Sequence, residues 1–207
     1  MDVNTIVFDL GGVIINLNVP RCVSNFKRLM PEENIRNILG IDDEGEGVVA
    51  VSAATKQLMH DYEYGNITTE EFLHTLQEYC FEGTTIEQIR EAWLSMLDDL
   101  PQERLDYIAE LRKKGYRTIL LSNSNELHWD PIWEQYRLGD YFEVVFASHY
   151  LHMAKPNQEI FDHVVREAKI DCAHAIYVDD LEKNRKAGER FAGWKTVASI
   201  DDLKLMI

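Results

Sequence analysis

The sequence predicts an α/β protein: a doubly wound parallel sheet with an all-helical block inserted after its first strand. Two observations carry this. After Pro101, short apolar runs rich in β-branched and aromatic residues alternate with helical patterns, the signature of βαβ units. Before Pro101, one such run, Ile6-Val7-Phe8, is followed by helical signals only, from Val19 onward. A single strand beside a helical bundle has no partner. It must therefore join the later sheet, and the helices form a cap above that sheet's carboxyl edge.

Taken in order, Thr5 to Phe8 reads as a strand buried on both faces. Asp9 follows where it leaves the core, and Gly11-Gly12 permits a sharp turn. Val19, Cys22, Val23, Phe26, Leu29 and Met30 keep helical spacing until Pro31, and Glu32 to Leu39 makes a shorter amphipathic segment. The acidic stretch Asp42 to Gly47 reads as a solvated turn, because a calcium loop needs ligands alternating over a longer span. Ala53 to Tyr64 is helical and stops at Gly65-Asn66. Thr68 with Glu71, and again Thr84 with Glu87, form capping boxes that open two further helices. The block holds about four or five helices and no strand signal.

Beyond Pro101, a helix through Leu105, Ile108 and Leu111 ends at Lys113-Lys114-Gly115. Strands follow at Arg117–Ser122, Val144–Ala147, Ala175–Val178 and Trp194–Val197. Between them run helices carrying Trp129 and Trp133, then Ile160 and Phe161, then Glu182 to Phe191. Trp129 and Trp133, one turn apart, read as core packing.

The chain has 207 residues, 45% of them hydrophobic, enough for one core plus an insertion. A formal net charge of -15 excludes the basic face that nucleic acid or an anionic membrane requires. Cys22, Cys80 and Cys172 are odd in number and widely spaced, as expected of free thiols in a reducing cytoplasm. No apolar run reaches membrane-spanning length and no leader pattern opens the chain, so a cytoplasmic location is expected.

Four polar clusters fall at strand ends or just beyond them: Asp9, Ser122-Asn123, Lys155 and Asp179-Asp180. Converging on one sheet edge beneath a cap, they amount to a site. Carboxylates from separate strands make a hard oxygen site suited to magnesium. Ser122 can hold phosphate oxygens, and Lys155 supplies a point charge for the same anion. A carboxylate facing a phosphoryl group at 4 Å costs on the order of 4 kcal/mol per unit pair at an effective dielectric of 20. A cation and a lysine relieve that repulsion, and Asp9 can then attack phosphorus.

With these residues in view, the chain resembles the haloacid dehalogenase-like (HAD) hydrolases along its whole length. Phe8-Asp9-Leu10-Gly11-Gly12-Val13 matches the first motif, Leu120-Leu121-Ser122-Asn123 the second and Lys155-Pro156 the third. Tyr177-Val178-Asp179-Asp180 with Asn184 matches the fourth. The resemblance implies a Rossmann-like core (1–16 and 101–207) and a helical cap (17–100). Asp9 would be the nucleophile with Lys155 beside it, Ser122, Asn123 and Lys155 would bind phosphate, and Mg2+ would lie on Asp9, the Gly11 carbonyl and Asp180, with Asp179 in support. It implies a phosphatase of a small phosphorylated metabolite, as monomer or homodimer. One departure matters. The family's second Asp, two residues past the nucleophile, is Gly11 here, and losing a general acid–base typically costs about 10²–10⁴-fold in rate. The pattern is similar to sugar-1-phosphate phosphatases, whose leaving group is good. Alternatives are a protein that binds phosphate or a partner but turns over poorly, and a haloacid dehalogenase, against which the Asp179-Asp180 pair counts.

The remaining residues read plainly. His149 and His152 are spaced for zinc but lack a partner pair, so a loop or core role is expected, with either able to touch substrate. Arg185, Lys186 and Arg190 read as a solvated face. Arg21 and the acidic loop are candidates to face substrate from the cap.

Overall fold

A computed structural model describes residues 3–39 and 53–207. The acidic stretch from Asp42 to Gly47 lies outside the described residues. Strands β1 (Thr5–Phe8), β2 (Arg117–Ser122), β3 (Val144–Ala147), β4 (Ala175–Val178) and β5 (Lys195–Val197) form one parallel sheet ordered β3-β2-β1-β4-β5. The chain steps outward from β1 to β3, then crosses back to lay β4 against the free edge of β1. That reversal opens a crevice between β1 and β4 at their carboxyl ends. Phe8 is level with Leu120 on one side and Val178 on the other, so Asp9 and Asp179 leave the sheet side by side.

The helices are α1 (Val19–Phe26), α2 (Glu32–Leu39), α3 (Ala53–Glu63), α4 (Thr69–Gln77), α5 (Ile86–Leu94), α6 (Gln102–Lys113), α7 (Glu126–Tyr136), α8 (Ser148–Leu151), α9 (Gln158–Glu167), α10 (Glu182–Ala187) and α11 (Ile200–Lys204). Side-chain alternation along the strands divides the core between the two faces of the sheet. Ile6, Phe8, Leu120 and Ile176 pack under α6, α7 and α11. Val7, Ile119, Leu121 and Tyr177 pack under α9 and the segment from α10 to Trp194.

The inserted helices have an apolar centre of their own, built on Phe26, Met30, Tyr62, Phe72, Leu76 and Trp93 and joined by Leu127 from α7. Each large side chain fully buried there contributes about 1.5–3 kcal/mol. Two chain crossings link this layer to the sheet. They run side by side, with Leu17 bridged to Leu97 and Asn16 exchanging backbone hydrogen bonds with Asp98 and Asp99 at 3.0 Å each.

Thr68 and Glu71 cap α4 reciprocally, as expected. The second capping box is displaced by one residue: Thr85 and Gln88 make it, not Thr84 and Glu87. Thr84 is already committed to a turn, its N–H donating to Phe81 O and its hydroxyl to Leu29 O, which leaves Thr85 as the last extended residue. The helix expected over Glu182 to Phe191 ends at Ala187 and continues as a wider π-type turn, Gly188–Ala192.

Candidate active site

The sharp turn after β1 is built on Gly12, whose φ of +75° suits glycine. A Cβ at Gly12 would lie 2.4 Å from Asp180 Oδ2, so this turn and the end of β4 are in backbone-to-carboxylate contact. Asp9, Asp179 and Asp180 present carboxylate oxygens within 4.8 Å of one another.

Lys155, 3% exposed, holds the group together. Its Nζ lies 2.9 Å from Asp9 Oδ1 and 2.7 Å from Asp179 Oδ2, and it donates to Leu121 O at 3.0 Å. Burial pushes the Asp9 carboxyl up to about 7; Lys155 opposes that shift and the Asp179 charge adds to it. The Lys155 ammonium is held above its ordinary range: burial works against its charge, and the attraction of Asp9 and Asp179 outweighs it.

The two acids of the pair differ in their surroundings. Asp179 is fully buried and saturated: its oxygens accept from Lys155, the Tyr177 hydroxyl, Leu181 N–H and Asn184 Nδ2. Asp180 is exposed to the cleft, and burial of part of its surface beside Asp179 raises its pKa. This donor set fits a magnesium ion: hard oxygens from two strand ends, with Gly11 in the same lining. Asn184 Oδ1 fits it too, being buried beside Asp179 without a hydrogen-bond partner among the described residues. The Arg185 guanidinium donates to the carbonyls of both Asp179 and Asp180 at 2.7 Å. Arg185 is therefore not part of a solvated face. It braces the turn that aims the acids.

Two adjoining spaces lie above these residues. An open cleft of about 730 Å³ is lined by Asp9, Gly11, Lys155, Asp180 and Lys183, with Glu63 from the cap. A smaller chamber of about 170 Å³ includes Ser122, Ser124, His128, Trp93 and Met59 in its lining; Gly11, Leu17, Glu63 and Asn123 line both spaces. Ser122 is thus at the chamber end of the site, 1% exposed.

The Asn123 side chain is fully engaged. Its amide donates to Lys155 O at 2.9 Å and to Glu63 Oε1 at 2.8 Å, and its oxygen accepts the Lys155 N–H at 2.9 Å. It positions Lys155 and ties the cap to the core.

Residues 62–65 of the cap are docked by short-range contacts. Ser148 Oγ donates to Glu63 O at 2.8 Å, Asn157 donates to the Tyr64 hydroxyl at 2.6 Å, and His152 bonds Tyr64 O at 2.7 Å. At Gly65 a Cβ would sit 2.1 Å from His149 O. His149 packs against Trp129 and Tyr150, so neither histidine lines the cleft. Arg21 does not line it either: its guanidinium bonds Ser95 O, Leu97 O and Asp98 at the chain crossings. Glu63 and Arg185 carry no motif that sequence reasoning could use. For Glu63, its place just before the Gly65 turn is the one usable signal.

The sequence profile of haloacid dehalogenase-like hydrolases matches residues 3–191. The chain belongs to that family. It is 29% identical over 200 residues to the D-ribitol-5-phosphate phosphatase of Bacteroides thetaiotaomicron, covering 94% of this chain and 90% of the relative. Among solved structures, it is similar to a HAD family enzyme from the same organism in complex with magnesium and inorganic phosphate. That likeness has a TM-score of 0.77 at 33% identity and covers 95% of this chain and 93% of the other. A HAD-like family hydrolase from Porphyromonas gingivalis aligns with a TM-score of 0.82 at 29% identity, covering 100% and 98%. Among the described residues, no helix is long and apolar enough to cross a membrane.

Proposed function

We propose that this HAD-like phosphoric monoester hydrolase is a magnesium-dependent phosphatase of a small phosphorylated metabolite, working through a phosphorylated Asp9. The observation that carries the reading is Lys155, buried between Asp9 and Asp179 at the switch point and opening onto a roofed cleft. A lysine there opposes the rise that burial imposes on the Asp9 carboxyl and offsets the charge of an incoming phosphoryl group. The floor belongs to a core of residues 1–16 and 101–207, the roof to a cap of 17–100.

Asp9 Oδ attacks phosphorus, and the ester oxygen departs on the opposite side. Ser122 binds a phosphoryl oxygen, and Lys155, its three N–H donors turned to Asp9, Asp179 and Leu121 O, attracts the phosphoryl group by charge. Asn123 contributes by placing Lys155. Asp9, Asp180 and the Gly11 carbonyl would hold Mg2+, with Asp179 behind them. Bound there, the cation neutralises charge on both the carboxylate and the phosphoryl group. Water then hydrolyses the aspartyl-phosphate.

The cleft and the relatives support a substrate class. A space of about 730 Å³ roofed by a helical cap suits a sugar or polyol phosphate. The phosphate of D-ribitol 5-phosphate, named for the relative, sits on a primary alcohol and is a poor leaving group. The anomeric phosphates suggested by the sequence lose ground to such alkyl phosphates.

Phosphate release from a panel of phosphorylated metabolites, with and without Mg2+, tests the reading. Turnover that requires Mg2+ and vanishes in Asp9→Asn supports it. Gly11 favours a second reading, a phosphate-binding protein with little turnover. No release from any compound by a folded protein that binds Mg2+ would establish that one instead.

A further inference from the structure

Without a carboxylate at Gly11, the alkoxide expelled from an alkyl phosphate has no acid in the first-motif loop to protonate it. Among the described residues, the carboxylates that line the cleft besides Asp9 and Asp180 are Glu63 and Asp98. Asp98 is committed elsewhere, with Arg21 Nη1 at 3.2 Å and Asn18 Nδ2 at 3.4 Å across the chain crossings. Glu63 is different. Among the described residues no cation lies within ion-pair distance of it, and its side chain accepts one hydrogen bond, from Asn123. It lines both the cleft above Asp9 and the chamber beside Gly11, reaching each from the cap side. Its backbone is clamped by Ser148 Oγ, the docked turn at Gly65 follows directly, and the Asn123 amide holds its carboxyl toward the floor.

We propose that Glu63 is the general acid and base of this enzyme, delivered by the cap in place of the carboxylate that Gly11 lacks. The inference rests on the phosphatase reading above. Burial raises the Glu63 carboxyl, with Lys183, Lys155 and His60 opposing, which suits a group that must give up and recover a proton. As Asp9 Oδ bonds to phosphorus, the bond from phosphorus to the ester oxygen breaks, and that oxygen takes the Glu63 proton and leaves as the alcohol. The Glu63 carboxylate then takes a proton from water. The water oxygen bonds to phosphorus, and the bond from phosphorus to Asp9 breaks. Inorganic phosphate departs, with the Asp9 carboxylate and the Glu63 acid restored. The proton donor is in place only while the cap is seated, which ties chemistry to closure.

Leaving-group dependence tests this. The probes are 4-nitrophenyl phosphate, phenyl phosphate and the best alkyl phosphate of the panel, compared in wild type, Glu63→Gln and Glu63→Asp. The quantity read is kcat/KM, which covers steps through loss of the leaving group. Glu63→Gln retains an acceptor for Asn123. It should lower kcat/KM for the alkyl phosphate by about 10²–10⁴-fold, and leave the nitrophenyl ester, which needs no proton, within about threefold. Phenyl phosphate should fall between them, and Glu63→Asp should recover part of the alkyl activity. An equal loss on all three esters, or no loss on any, overturns the role of Glu63 while the phosphatase reading stands. A wild-type protein inactive on every ester overturns both. If Glu63→Gln does not fold, the Glu63→Asp series decides, since the same differential loss, smaller in size, is then required.

Discussion

In the floor of the cleft, Asp9, Lys155 and Asp179 are 7%, 3% and 0% exposed, and each follows a strand or reaches into the end of one. In its roof, Glu63 is half-buried and joins the floor through a single side-chain hydrogen bond from Asn123. The floor is held by a parallel sheet apolar on both faces, so its geometry is as rigid as the core beneath it. The roof is held by polar contacts from Ser148, Asn157 and His152 and by Leu127, which joins its apolar centre. Each such polar contact is worth about 1 kcal/mol, so the roof is the less firmly held of the two. Catalytic groups on the floor can therefore be preorganised, and those in the roof depend on closure.

The largest effect that sharpens this contrast is Asp9→Asn, expected to lower kcat by about 10⁴-fold or more with the protein still folded. Its stability effect has a sign set by the raised Asp9 carboxyl. Between its ordinary value of 3.8 and about 7 the folded state binds more protons than the unfolded one, so metal-free stability falls as pH rises through that window. Thermal melts of metal-free protein should show Asp9→Asn gaining on wild type at pH 8 and not at pH 4. A pH-independent difference would break the account of a strained floor.

Lys155→Met comes next. It leaves two buried carboxylates facing each other and should destabilise by about 3–5 kcal/mol, measured by urea unfolding. Gly12→Ala forces a side chain onto Asp180 at a positive φ. It should raise the Mg2+ concentration for half-maximal activity by about 10–100-fold, with a stability loss of about 1–3 kcal/mol. The smallest effect belongs to the roof. Ser148→Ala removes the hydroxyl that clamps Glu63 O and should cost about 1 kcal/mol globally. Its signature is faster amide hydrogen exchange in residues 60–67 with none in β1, whereas equal acceleration in both would mean that roof and floor move together.

Local sequence was sufficient for the floor. Asp9, Ser122 and Asp179 end or follow strands written in short apolar runs, and parallel packing aligns strand ends without further information: Phe8, Leu120 and Val178 come level by register alone. The capping box at Thr68 was legible for the same reason, since it acts within four residues. At Thr84 and Thr85 two overlapping boxes had equal local claims. The choice fell to a contact with Leu29, distant in sequence. Glu63, Arg185 and Asn123 acquire their roles through partners that no local pattern encodes: Asn123 for Glu63, the Asp179 and Asp180 carbonyls for Arg185, and both Lys155 and the cap for Asn123. A charged side chain on a helix reads as solvated until the fold brings an acceptor to it. Strand ends are set by the sheet that every strand shares, but a side chain's partner is decided by which surfaces meet.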